Sequence, residues 1–352
     1  MSKSGYFQRV SAQTPTRFWI NNPTEAQAKL ALEAGAVGCT TNPAYLSKLF
    51  SSPEDYRVLL RSIDLLLPYE KKDSVVAAKV QAAMVARISD IFLPLYEASG
   101  GKAGFVTIQG DPFEETNAQS IIDEGIENRK IGDNITIKIP VTEPGIEAIR
   151  WFVDHDIPTM ATEVMGLSQA VAICEAYRDA SKASGKAPVF YVTHITGILD
   201  DHFKRVIAAD AKGLGISLEA IRWAGLSVAK RQYALMKERG YPGIFMGGGA
   251  RKLEDFTELV GGDLAVTINW EGSADLLIAK DGPVLNRIAE PVESGIVEEL
   301  LAKLPDYARA YEIDGMKPEE FYDYGGVELF RTAFMKGWKQ LLALVAERRK
   351  EL

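Results

Sequence analysis

The chain has 352 residues, 47% of them hydrophobic and 25% charged, the balance of one large or two ordinary globular domains and not of a disordered or fibrous protein. Its 40 Lys+Arg against 48 Asp+Glu leave a formal charge of −8, and no basic stripe is long enough to neutralise a run of phosphates, so nucleic acid is not an expected partner. No stretch approaches the roughly 18 apolar residues of a membrane span, and the N-terminus lacks the apolar centre of a signal peptide. Cys39 and Cys174 stand far apart in apolar surroundings, which is no disulfide framework and fits a reducing, cytoplasmic setting.

Taken in chain order, β-branched runs alternate with helical patterns. A strand is predicted at 17–21, a helix at 24–35 and a strand at 37–41; two or three helices then fill 46–98. Strand and helix follow at 104–109 and 114–127, 134–140 and 144–155, 157–162 and 168–183, 188–194 and 216–239, 243–247 and 251–260, and 264–269 and 273–280. Eight strands alternating with helices predict an α/β chain built as a single parallel (β/α)8 TIM barrel, a fold of about 250 residues. The surplus is expected as a helical insertion at 46–98 and a helical tail at 294–352 that ends in a charged amphipathic helix. No linker divides the chain, so residues 1–352 read as one decorated domain. Composition leaves the oligomeric state open, a homo-oligomer included.

Strands covered on both faces should be continuously apolar, and several of these are not. In 135–140 (ITIKIP) the period of two puts three isoleucines on the helix side and Thr136 and Lys138 inside the barrel. The same alternation turns Asn21, Thr107, Gln109, Thr267 and Asn269 inward near the C-terminal strand ends, where barrels of this kind build active sites. A polar residue there can simply hydrogen-bond its neighbours. Lys138 asks for more, because a buried lysine without a full carboxylate partner tends to lose its charge, and a neutral amine is a nucleophile for carbonyl carbon. No acidic residue alternates inward beside it on its own strand. The alternatives are an isomerase using Lys138 as acid and base on an enediol, and a binding barrel without turnover.

The histidines, His155, His194 and His202, form no HExxH motif or Cys/His cluster, so no metal site is expected. The GxSxG, Walker A and GxGxxG motifs are missing, and Gly247, Gly248 and Gly249 read as a tight turn. His155 and His202 read as surface residues. Glu163 reads as alternating outward from Thr162, a structural residue. Trp19 and Trp270 lie near strand ends, where they line a sugar pocket or fill the core.

Three stretches, 18–24 (FWINNPT) with 38–43 (GCTTNP), 137–145 (KIP within IKIPVTEPG) and 162–170 (TEVMGLSQA), make the chain resemble the transaldolase family from about residue 16 onward. The resemblance implies class I chemistry without metal or cofactor in carbohydrate metabolism such as the pentose phosphate pathway. A lysine amine forms a Schiff base with a ketose, or sugar phosphate, and a dihydroxyacetone unit is transferred or released. On this resemblance Lys138 is the Schiff-base lysine, Asn42 beside Thr41 binds substrate hydroxyls, Thr162 holds the catalytic water, and Gln109 stands where transaldolases carry glutamate. Gln109 and Tyr191 match the shorter fructose-6-phosphate aldolases, in which a tyrosine holds the water that protonates the enamine. Asn21 replaces the family's proton-shuttling aspartate. His194 replaces one phosphate-binding arginine, Arg251 matches the second, Gly249 stands where a serine would, and Lys252 is a neighbouring cation able to restore the charge. A phosphate, a sulfonate or a neutral sugar all remain open, and the segment around Tyr322, Tyr324, Phe330 and Phe334 is expected as a lid.

Overall fold

A computed structural model describes residues 5–209 and 213–351; residues 1–4, part of the N-terminal reading above, lie outside it. Eight parallel strands close into a barrel in sequence order: β1 (Arg17–Asn21), β2 (Gly38–Thr40), β3 (Phe105–Ile108), β4 (Ile135–Pro140), β5 (Thr159–Val164), β6 (Phe190–Ile195), β7 (Ile244–Gly248) and β8 (Ala265–Ile268). The helices are α1 (Tyr6–Gln13), α2 (Glu25–Ala34), α3 (Tyr45–Leu49), α4 (Pro53–Leu66), α5 (Asp73–Ala98), α6 (Ala118–Arg129), α7 (Glu143–Asp154), α8 (Leu167–Ser184), α9 (Thr196–Ala209), α10 (Leu218–Glu238), α11 (Glu254–Thr257), α12 (Asp275–Lys280), α13 (Ser294–Lys303), α14 (Pro305–Tyr311) and α15 (Gly325–Glu351). The expected (β/α)8 barrel, with extra helices after the second strand and a helical C-terminal extension, is the observed fold.

Period-two alternation sorts each strand. Ile135, Ile137 and Ile139 of β4 are buried in the layer beneath the helices, while Lys138 pairs laterally with Met160 of β5 on the inner face. Inside, the N-terminal end is plugged by Trp19, Phe105, Met160, Tyr191, Met246 and Ala265, with the Trp19 and Tyr191 rings 5.1 Å apart. Aromatic bulk at one end leaves the smaller polar side chains to the other. Local signals set the helix ends: Thr24 caps α2 by accepting from the Gln27 N–H, and Asn117 caps α6 by accepting from the Gln119 and Ser120 N–H groups.

Four helices differ from the sequence reading. Of the stretch 46–98, the long α5 packs on β2 and β3 and covers the barrel as its own second helix, so only α3 and α4 are additions. The helix expected at 251–260 shortens to the single turn of α11, because one carboxylate oxygen of Asp255 accepts from the Arg251 and Lys252 N–H groups and fixes a turn there. Helices α1 and α9 were not foreseen.

Helix α15 lies across the C-terminal face, packed on α3, α4, α5 and α9. Arg348 is held by Asp64 at 2.8 Å and Arg349 by Asp73 at 2.8 Å. His202, expected on the surface, is buried beneath the tail and bonds Asp306 at 2.8 Å; His155 is exposed. At Gly337 an added Cβ would stand 2.6 Å from the Ala44 Cα. That backbone cannot yield without separating α15 from the α3 region. Gly337→Leu is therefore expected to cost about 3 kcal/mol of stability, the upper range for overpacking, measured as a lower denaturant midpoint at unchanged m-value.

Candidate active site

A cavity of about 150 Å³ opens at the C-terminal end of the barrel. Asn21, Thr40, Lys138, Met160, Thr162, Thr193, Gly248, Thr267 and Asn269 form its walls, Asn42, Lys48, Gly249 and Arg251 its rim, and Phe330, Ala333 and Phe334 of α15 its roof. Past Lys48 and Asn269 it adjoins a second cleft of about 310 Å³ lined by Gln27, Trp270 and Glu271. The walls are amides and hydroxyls. Asn21 donates to the Asn269 Oδ1 at 2.9 Å and accepts from Thr40 at 3.0 Å, and Thr40 meets the Thr267 hydroxyl at 2.7 Å. The buried hydroxyls of Thr162 and Thr193 have no hydrogen-bond partner among the described residues, which leaves two groups able to donate or accept to a polyol.

Lys138 is only 6% exposed. Its amine donates to the Thr41 carbonyl at 3.3 Å and stands 5.5 Å from the centre of the Phe334 ring. Behind it lies a pair of buried carboxylates. The Gln109 amide nitrogen donates to Glu115 at 3.1 Å and to Glu163 at 3.1 Å, and among the described residues the second oxygen of each carboxylate has no partner. Burial moves the Lys138 pKa down to about 8, against the upward pull of Glu163 and Glu115. Burial likewise raises Glu163 to about 7, with Gln109, Lys138 and Arg331 pulling the other way. Glu115 is pushed well above the usual carboxylate range by burial and then by Glu163. Three groups this strongly coupled gain and lose protons as a unit.

Glu163 reaches this place through a β-bulge, which corrects its expected outward, structural placement. The register of β5 against β6 runs Ala161 to Val192 and then Val164 to His194, three residues against two. Ala161 and Val164 face the helices, so Thr162 and Glu163 both fall inside. Glu163 has φ of 61°, the left-handed region that few non-glycine residues occupy. Gln169 at the start of α8 fixes the bend: its NH2 donates to the Glu163 and Val141 carbonyls, and its Oε1 accepts from the Met165 and Gly166 N–H groups.

Residues 19–314 match the family model described as Transaldolase/Fructose-6-phosphate aldolase. The chain belongs to that family. Among similar proteins, the transaldolase of Neisseria meningitidis serogroup C / serotype 2a is 30% identical over 216 residues, 54% of this chain and 60% of that protein. The transaldolase of Mycobacterium ulcerans is 26% identical over 227 residues, 58% and 59%. Transaldolase 1 of Streptomyces avermitilis is 28% identical over 199 residues, 53% and 52%. The chain thus spans about 60% of the length of the first two of these relatives. A solved structure of a putative phosphonomutase from Burkholderia cenocepacia J2315 covers 80% of this chain and 90% of its own at 15% identity and a TM-score of 0.31, too slight a likeness to carry an argument.

Of the residues singled out in the sequence, the cavity gathers Asn21, Asn42, Lys138, Thr162, Gly249 and Arg251. Gln109 stands behind Lys138, and Thr41 lies beneath it, its hydroxyl bonded to the Thr107 carbonyl at 2.6 Å. Tyr191 does not join them. It is inward-facing but lies at the aromatic floor, one layer below Thr193. His194 faces outward, bonded through Nδ1 to Gln232 of α10 at 3.0 Å, and burial lowers its pKa to about 4, so it is neutral and no anion contact. Tyr191 and His194 are three apart, and one strand cannot present both to one face. Lys252 is turned away, held by Asp200 and by Asp255. Trp19 belongs to the floor and Trp270 to the adjoining cleft. Sequence reading missed Thr193, legible from the parity of β6, and Glu115 and Lys48, which no periodicity marks. Among the described residues no cluster of His, Cys, Asp and Glu is arranged to hold a metal, and no helix is long and apolar enough to cross a membrane.

The raised Glu163 pKa has a stability consequence. The folded protein holds this proton more tightly than an unfolded chain does, so stability falls as pH rises from the ordinary 4.5 to about 7 and stays reduced above. Glu163→Gln keeps the Gln109 contact and removes the ionisation. It is expected to melt at a higher temperature than the parent protein at pH 8, with the difference shrinking as pH falls toward 4.5; a gap independent of pH would contradict the assigned burial cost.

Proposed function

We propose that Lys138 is the nucleophile of a transaldolase-family reaction on a ketose. The observation that carries this is the lysine itself, buried at the active end of the barrel, held by one carbonyl, with its pKa brought to about 8 and its amine facing a sugar-sized cavity. Family membership supports the same reading. The neutral amine adds to the ketone carbon, water leaves, and the resulting iminium draws the electrons of the carbon–carbon bond beyond the adjacent carbinol. The far hydroxyl gives up its proton, an aldehyde departs, and a three-carbon enamine stays on the lysine. Meeting a second aldehyde gives transfer; protonation and hydrolysis give aldol cleavage.

Asn21, Asn42, Thr162 and Thr193 are the groups that hold the sugar hydroxyls in this reading, and Gln109 positions the carboxylates behind the amine. At the rim, Lys48 and Arg251 both face the cavity. The protein around it, and then the neighbouring Arg251 guanidinium, lower the Lys48 pKa. Arg251 is paired with Asp201 at 3.1 Å, whereas among the described residues no carboxylate pairs with Lys48. Two cations on one rim, with no carboxylate among the cavity-lining residues, suit a donor with an anionic end, phosphate or sulfonate.

Sodium borohydride reduction in the presence of dihydroxyacetone and a panel of phosphorylated and plain ketoses tests the chemistry. A three-carbon adduct on the peptide containing Lys138, absent from Lys138→Ala, is expected; no adduct from any ketose would sink the reading and favour an isomerase or a non-catalytic barrel.

The rim has its own test. Lys48→Ala and Arg251→Ala are each expected to raise KM roughly 10-fold or more for an anionic donor, the worth of one charge-assisted hydrogen bond, with little change for a neutral ketose. An equal effect on both donors would remove the anion assignment.

A further inference from the structure

The cavity that would receive the sugar is lined by amides, hydroxyls and two cations but no carboxylate, and the strand-end position facing it on β1 is the amide Asn21. Schiff-base chemistry moves protons at every step, and neither an amide nor a threonine hydroxyl holds one in reserve. The carboxylates nearest to Lys138 lie on its other side. A cavity of about 20 Å³, enough for a single water, is lined by Gln109, Glu115 and Lys138. Through the Gln109 amide, Glu115 is tied to Glu163 with both contacts at 3.1 Å. Among the described residues Lys138 makes no direct ion pair with either carboxylate, so a proton passes between them through an intervening hydroxyl or water.

We propose that the Glu115–Glu163 pair, bridged by Gln109, is the proton store of the Lys138 amine, taking its proton before attack and returning it to the departing hydroxyl of the carbinolamine. The inference rests on the Schiff-base reading above and adds the acid and base to it. The balance closes without an external reagent. The ammonium first gives a proton to one carboxylate, leaving a neutral amine and a carboxylic acid. The amine adds to the ketone carbon and one of its N–H protons passes to the new alkoxide, and the hydroxyl so formed then leaves as water with the stored proton. What remains is an iminium facing the regenerated carboxylate.

Mutual repulsion explains why a pair serves better than a single group. Transfer from the ammonium to a carboxylate changes no net charge inside the barrel, whether one carboxylate is present or two. What the second one adds is basicity: the Glu163 charge raises the proton affinity of Glu115 beyond the effect of burial, which brings a carboxylate closer to the lysine in its hold on a proton. Other charged groups around the cluster are Arg331 from α15, which is stacked 3.5 Å over the centre of the Tyr322 ring and bonded to the Tyr322 carbonyl at 2.7 Å, Asp111 and Glu124 on the far wall of the small cavity, and Lys48 across the large one. Asp111 and Glu124 are joined through the Asp111 N–H at 2.8 Å and are both raised by burial, Glu124 to about 7.

The test is the rate of borohydride-trapped adduct formation with dihydroxyacetone and with fructose 6-phosphate, followed from pH 5 to 10 in the parent, Glu163→Gln, Glu115→Gln and the double variant. A purely electrostatic role moves only the midpoint of the pH profile. Without the anions the lysine pKa falls, the amine is freer at neutral pH, and the plateau rate is untouched. A proton store instead lowers the plateau, and the double variant is expected to lose roughly 100-fold there, the ordinary scale of general acid–base catalysis, even as its midpoint moves down. A plateau loss under tenfold in the double variant overturns the proposal. If the double variant does not fold, judged by circular dichroism and thermal melting, Glu163→Gln is read against the same tenfold line. A parent protein that traps no adduct removes the Schiff-base reading and the store with it, whereas a trapping parent whose variants keep their plateau removes the store alone.

Discussion

The constraint on which this site depends is the burial of one amine. Moving an ammonium out of water costs several kcal/mol even after the protein relaxes, and among the described residues the direct hydrogen-bond partner of Lys138 is a single carbonyl, that of Thr41 just past β2. The remaining compensation comes from two carboxylates, which together would overshoot the lysine by one negative charge. A proton retained between them resolves the excess, and Gln109 holds both oxygens with one NH2 group. The lowered lysine and the raised glutamates are therefore aspects of a single electrostatic arrangement. None of the three groups has a pKa of its own that survives removal of the others.

That arrangement required the backbone to break its own period. A regular β5 carries Thr162 or Glu163 inward, never both, and only the extra residue of the bulge places a hydroxyl and a carboxylate side by side. A glutamate at positive φ is held there by surrounding bonds and not by preference, and the four hydrogen bonds of Gln169 provide them by stitching the bulge to β4 and to the first turn of α8. From the other side, Gln81 of α5 donates to the Gln109 carbonyl at 3.1 Å. The supports of the carboxylate pair thus come from the covering helices, which explains buried polar residues on helix faces that otherwise pack as core.

The same feature marks the limit of what the sequence disclosed. Strict alternation in 135–140 was enough to put Lys138 inside, and alternation in β1 and β8 did the same for Asn21, Thr267 and Asn269. Eight β-branched runs at helical separation were enough for the barrel. The bulge is not legible, because nothing in the residues 159–164 distinguishes a strand that keeps its period from one that loses a step, and strict alternation points Glu163 outward where the bulge brings it inside. Tyr191 and His194 lie outside the cavity for different reasons: Tyr191 has the inward parity but sits one layer too deep, in the aromatic floor, and His194 has the opposite parity and faces α10. Glu115, in the loop after β3, and Lys48, on a helix of one turn and a half, reach the site through chain path alone.

The tail completes the logic of enclosure. Helix α15 carries Phe330, Ala333 and Phe334 to the sugar side of the lysine, while Arg331 of the same helix lies near enough to the carboxylates to hold down the pKa of each. An apolar roof deepens the desolvation that makes the amine neutral; a buried cation beside the carboxylates limits how far the same desolvation can neutralise them. Displacing the helix would relax both effects at once, rehydrating the amine and withdrawing the cation, so its seat against Ala44 is part of the electrostatics and not only of the packing. The result is a barrel mouth divided by charge. Hydrogen-bonding neutral groups and two rim cations line the cavity, and the buried carboxylates lie behind the lysine, so in the proposed reaction an anionic sugar would approach the amine without meeting their negative charge.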